Sequence, residues 1–144
     1  MDICCISETK LYETSRVQLT APAVSAHFWL RCSGDASAVA TGQAGVGIVL
    51  SSTAEASLLE WIPVNSRLCA VRLQCTAKVN ASRNKKRCLF VISAYAPTNV
   101  SDDAVKDEFL LQLRSLLRRT TSTDIVIVAW DMNAQVGQWD NGDL

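Results

Sequence analysis

Short apolar runs, most of them five to eight residues long, alternate along this chain with polar stretches, and one longer amphipathic segment stands among them. Residues 2–7 and 27–32 are compact apolar runs and predict strands. Residues 33–45 are small and flexible and read as a loop. In 45–51, Val46, Ile48 and Leu50 alternate with smaller partners and predict a half-buried strand. Residues 56–61 fit either a short helix or a strand. Residues 68–75 alternate strictly: Leu68, Ala70, Arg72 and Gln74 share one face, and Cys69, Val71, Leu73 and Cys75 share the other. The run 89–96 is almost wholly apolar, as expected for a strand covered on both faces. Between these two strands, residues 78–87 read as a solvated hairpin loop carrying Arg83, Lys85, Lys86 and Arg87, with nuclear import or phosphate contact as minority readings.

Residues 101–119 predict the helix. Ser101 offers a capping hydroxyl, and Asp102 and Asp103 suit the positive end of the helix dipole. Arg114, Arg118 and Arg119 suit the negative end. Val105, Phe109, Leu113 and Leu116 form the expected buried stripe. Residues 124–130 then predict another fully buried strand, ending in Asp131-Met132-Asn133. Strands mixed with an amphipathic helix define an α/β chain. With 144 residues and no linker or repeat, it reads as one domain over 1–144.

Composition narrows the classes. Apolar residues make up 49% and the net charge is zero, which excludes wholesale disorder. No run approaches the roughly 18 apolar residues of a spanning helix, and no membrane association is expected. Fourteen basic and 14 acidic residues predict no general affinity for polyanions. The six cysteines lack ligand spacing and there is one histidine, so a zinc site is not expected and buried thiols in a reducing compartment are. His27 lies in an apolar strand pattern and reads as structural. The first residues do not have the pattern of a secretory signal, and the expected location is intracellular, with the nucleus one option.

Polar groups stand directly after three apolar runs: Glu8, Tyr95 and the Asp131-x-Asn133 pair. If the three strands are neighbours, these side chains meet on one rim. Two carboxylates with amide and phenol groups suit a hard divalent cation and a phosphate, because magnesium takes one or two protein carboxylates and keeps its waters. Acidic residues and asparagine also commonly end strands for turn-forming reasons alone.

Four blocks, residues 2–11, 45–50, 93–98 and 127–137, resemble the endonuclease/exonuclease/phosphatase family in order and spacing. The wording is most similar to the endonuclease domain of non-LTR (LINE-type) retrotransposons and to craniofacial development protein 2-like sequences. The resemblance implies a two-sheet, deoxyribonuclease I-like α/β sandwich. It implies Mg²⁺-dependent cleavage of a phosphodiester, with Mn²⁺ as a substitute and DNA as substrate. By the same resemblance, Glu8 binds the metal and Tyr95 contacts the scissile phosphate. Asp131 orients or deprotonates the attacking water, Asn133 hydrogen-bonds the phosphate, and Thr98 is a further phosphate contact.

Departures from the family pattern set further expectations. The family starts one strand earlier, closes on a Ser/Asp-His motif and has glycine where this chain has Trp130. The domain is therefore expected to be incomplete at both ends, weakly active or inactive, with a long apolar edge strand left unpaired. The alternatives are a non-catalytic remnant that at most binds a partner, and a phosphatase of the same family. No particular protein partner is indicated.

Overall fold

The computed structural model describes residues 1–20, 22–23, 25–37, 45–80 and 83–133. Part of the loop expected at 33–45 and the end of the 127–137 block lie outside these residues. Eight strands and two helices are described. One sheet has the order β1-β4-β3-β2, from β1 (Ile3–Ser7), β2 (Ser15–Thr20), β3 (His27–Ser33) and β4 (Val46–Ser51). The second has the order β5-β6-β7-β8, from β5 (Leu58–Pro63), β6 (Leu68–Asn80), β7 (Arg83–Tyr95) and β8 (Ile125–Asp131). All described pairings are antiparallel except β7 with β8. Helix α1 (Ser52–Ala56) joins the two sheets, and α2 (Asp103–Leu117) supplies the crossover that a parallel β7–β8 pair requires. The ambiguity over 56–61 resolves into the end of α1 followed by β5.

Alternation along β6 and β7 divides the interior into two cores. Cys69, Val71 and Leu73 of β6, with Val91 and Tyr95 of β7, meet Val46, Ile48 and Leu50 of β4 between the sheets. Leu68 and Ala70, with Phe90, Ile92 and Ala94, face the other way onto Phe109, Leu113 and Leu116 of α2. The layers are therefore sheet, sheet and helix. Each buried Leu, Ile or Phe contributes on the order of 1.5–3 kcal/mol of transfer free energy.

Several sequence expectations are corrected. Residues 78–87 are not a loop: β6 runs to Asn80 and β7 starts at Arg83, so the ladder continues through most of the polar segment. Backbone pairing needs no apolar side chains, so a polar composition does not exclude a strand. Ser101 does not cap α2. Asp102 is the N-cap residue, without a side-chain cap bond, and the Ser101 hydroxyl pairs with Thr98 at 3.0 Å. Val105 is 44% exposed, so the buried stripe of α2 is Phe109, Leu113 and Leu116. Strand β8 is not buried on both faces. It is an edge strand among the described residues, with Ile125, Val126, Ile127, Val128 and Trp130 all exposed.

Cys32 and Cys69 are buried, and all six cysteines are free thiols. Burial pushes the Cys5, Cys32 and Cys69 thiols up, which keeps them protonated. His27 is exposed at the start of β3, where its carbonyl accepts from the Ser52 hydroxyl at 3.0 Å.

Candidate functional site

The site is built where β1, β7 and β8 end. Strand β1 is not a neighbour of the other two within one sheet. It lies across the sandwich, and Ser93 of β7 reaches its Ile6 carbonyl at 3.5 Å. In-register parallel pairing sets Tyr95 opposite Asp131. The Ala96 N–H donates to the Asp131 carbonyl at 2.9 Å and extends that ladder by one bond.

Four of the predicted residues come together. The Tyr95 hydroxyl donates to Glu8 Oε1 at 2.9 Å. Asn133 Nδ2 donates to the Tyr95 hydroxyl at 3.3 Å and to the Ala96 carbonyl at 3.4 Å. The Asn133 N–H donates to Asp131 Oδ1 at 3.0 Å, and the Ser7 hydroxyl donates to Oδ2 at 2.9 Å. Thr98 is not brought into this network; its hydroxyl bonds Ser101 at the approach to α2.

The local backbone is held in uncommon conformations. Glu8 and Lys10 have φ of 54° and Asn133 has φ of 46°, the left-handed region that residues with a Cβ seldom enter. Asparagine tolerates it best, and its side chain here makes the two bonds just described. The Glu8 loop is fixed from behind, where the Thr9 N–H donates to the Gly45 carbonyl at 3.0 Å.

Two further residues shape the site, and neither is singled out by the sequence pattern above. Ser7 is a hydroxyl in an otherwise apolar strand, one position before Glu8. That break in polarity is the available signal. Arg67 sits in the turn between β5 and β6, and nothing in its local sequence marks it. Its guanidinium carbon lies 5.3 Å from the centre of the Tyr95 ring. Its Nη1 donates to the carbonyls of Ala96 (3.1 Å) and Tyr95 (3.4 Å), and its own carbonyl accepts from the Tyr95 N–H at 2.8 Å.

Burial pushes the Tyr95 phenol up, the Glu8 carboxylate pushes it further, and the Arg67 cation opposes both. Tyr95 therefore stays a neutral donor well into the alkaline range. Burial lowers Arg67, and Tyr95 opposes that shift.

A cleft of about 410 Å³ opens beside Asp131, lined also by Cys5, Ser7, Ser93 and Trp130 among others; Glu8, Tyr95 and Asn133 do not line it. Among the described residues no three His, Cys, Asp or Glu side chains cluster around one point. The available donor set is two carboxylates, an amide and a phenol. The carboxylates are hard oxygen donors of the kind magnesium takes one or two of while keeping its waters, and the phenol and amide act here as hydrogen-bond donors. No described helix is long and apolar enough to cross a membrane.

No protein-family model, curated protein or solved structure matches the chain.

Proposed function

We propose that this chain carries the metal-dependent phosphodiester-hydrolysing site of the endonuclease/exonuclease/phosphatase family, in a deoxyribonuclease I-like sandwich, with DNA as substrate and Mg²⁺ as cofactor. The observation that supports the reading is the meeting of Glu8, Tyr95, Asp131 and Asn133 from three strand ends, a convergence that the placement of each behind an apolar run predicts. Glu8 would hold the metal through Oε2, since Oε1 accepts from Tyr95. When bound, the ion would polarise a phosphoryl oxygen. Asp131 keeps an unused lone pair on each oxygen and can accept a proton from an attacking water. The Asn133 amide is the phosphate donor, and its two long bonds are readily exchanged for a bond to substrate. A DNA substrate favours an intracellular location, with the nucleus as one option.

One arrangement favours a second, non-catalytic reading. Trp130 stands directly before Asp131 and is anchored against Phe109, with ring centres 6.0 Å apart. A bulky residue there limits close approach of a phosphate backbone to the Asp131 turn.

Nicking of supercoiled plasmid in Mg²⁺ or Mn²⁺ separates the readings. The hydrolytic reading expects nicking that disappears in EDTA and drops by about 10²-fold or more in Asp131→Ala and Glu8→Gln. Nicking that survives Asp131→Ala would be a contaminant's. A well-folded chain with no turnover leaves the non-catalytic reading. A phosphoinositide assayed in parallel tests the phosphatase alternative, and release of its phosphate with DNA left intact would replace the substrate.

A further inference from the structure

A second hollow adjoins the candidate site on the other face of β8. Side chains alternate across a strand, so Asp131 and Trp130 leave β8 on opposite faces. Asp131 turns toward β1, where the Ser7 hydroxyl donates to it. Trp130 turns toward α2, where its ring centre lies 6.0 Å from that of Phe109 with the planes tilted by 56°. Beyond that contact Trp130 remains 44% exposed. It forms one wall of a groove of about 230 Å³, completed by Ala96 and Pro97 after β7 and by Lys106, Phe109 and Leu110 of α2. Two residues join the groove to the site. Trp130 also lines the cleft beside Asp131, and the Ala96 carbonyl accepts from Asn133 Nδ2 at 3.4 Å.

We propose that this groove is a subsite for one unpaired nucleobase of the substrate strand, stacked on Trp130. The inference rests on the hydrolytic reading, because it takes the phosphate at Asp131 to belong to a polynucleotide. Three properties select this occupant. The exposed indole supplies an aromatic face on which a base of any identity can stack. The volume lies below the roughly 300–1,000 Å³ of sites for whole drug-sized ligands, and suits a single planar ring system. The charged side chain in the lining is a cation, as the phosphate beside a base requires: Lys106, whose Nζ donates to the Asn99 carbonyl at 2.9 Å. Asp103 stands 3.9 Å from that amine, but it is 97% exposed and does not line the groove.

Bases of an intact duplex are held in their own stack, so only an unpaired or extruded one reaches such a groove. The bulk of Trp130, which limits approach of a backbone to the Asp131 turn, thereby becomes a preference for strands with an unpaired nucleotide next to the cleaved bond. The family pattern that the chain resembles has glycine at this position, so the subsite is a property of this chain.

The test is fluorescence anisotropy with the full chain in EDTA, where no cleavage intervenes. Two labelled single strands of equal length and charge are compared: an oligothymidylate, and the same backbone carrying abasic residues. Glu8 and Asp131 repel both strands alike, so the ratio of affinities reports the bases. The oligothymidylate should bind at least about fivefold tighter, the lower end of what one stacked base contributes. Trp130→Leu keeps an apolar partner for Phe109 but offers no ring, and should bring the two strands to within about twofold of each other. Trp130→Phe should keep most of the difference. The comparison on the wild-type chain needs no variant, so a Trp130→Leu chain that fails to fold leaves the test intact. Equal affinity of the wild type for the two strands, or no binding of either, overturns the proposal. So does a base preference that survives Trp130→Leu. A different mean mass of Trp130→Leu and wild type at the same concentration, by light scattering, would give the groove to a second copy of the chain and overturns it too. Plasmid nicking without a base preference keeps the hydrolytic reading and removes the subsite. A base preference without nicking keeps the subsite and removes hydrolysis.

Discussion

Gly45 illustrates how a residue outside the candidate chemistry fixes it. Its φ is +96°, and a Cβ there would stand 2.0 Å from Thr9 Oγ1 and 3.0 Å from the Leu11 carbonyl. Its carbonyl accepts from Thr9 and its N–H donates to the Ser66 carbonyl at 3.1 Å, so it ties the Glu8 loop to the turn that carries Arg67. Gly45→Ala should therefore cost about 2 kcal/mol or more, from the backbone conformation plus the clash, as urea denaturation would measure. Arg67 acts on the same group from the other side. Replacing it with methionine removes the cation under the Tyr95 ring, and the phenol should move further up. In a Tyr12→Phe background, absorbance titration follows Tyr95 alone. The remaining phenol should ionise above the usual value near 10, and later still in Arg67→Met. Unchanged titration in Arg67→Met would mean that the arginine only braces the turn. Glu8, Tyr95, Asp131 and Asn133 are legible in the sequence because each follows an apolar run. Arg67 is not, since its role arises only when the β5–β6 turn folds beneath Tyr95.

At the scale of elements, the same kind of apolar run leads to different outcomes. Residues 89–96 and 124–130 look alike in one dimension, yet β7 is interior and β8 is an edge. Hydrophobic content reports what a strand could bury, and its neighbours decide what it does bury. The alternation in β6 is legible face by face, because each face has its own covering layer. The entry to β8 depends on one ion pair. Asp124 Oδ2 accepts from the Thr121 N–H at 2.8 Å and from Arg72 Nη1 at 2.7 Å, and its side chain is 2% exposed. The Thr121 N–H and the Arg72 guanidinium hold this carboxyl below its usual range, against the opposing effect of burial. A carboxyl whose folded pKa is depressed stabilises the fold above its unfolded value, near 3.9, and loses that contribution as pH falls through the folded value. Asp124→Asn should thus lower stability at neutral pH by on the order of 2 kcal/mol. The difference from wild type should shrink below about pH 4. A gap that stays constant from pH 7 to pH 3 would show that charge plays no part.

For the whole molecule, the open flank matters most. Strand β1 is the edge of one sheet and β8 the edge of the other, and the 410 Å³ cleft opens between them beside Asp131. The candidate site therefore sits at an unclosed margin of the sandwich as described. Such a margin admits substrate readily, but it also presents unpaired backbone groups. Residues 125–130 contain no charge, no proline and no bulge, the devices by which exposed edges are usually kept from pairing with another chain. Ile127 is 47% exposed in the middle of that edge. The purified chain should associate as its concentration rises, with light scattering reporting an increasing mean mass. Ile127→Lys places a charge on the edge without touching Glu8, Tyr95, Asp131 or Asn133, and should hold the chain at monomer mass over the same range. If both proteins associate equally, the contact lies elsewhere on the surface. If neither does, the edge is protected by residues beyond those described.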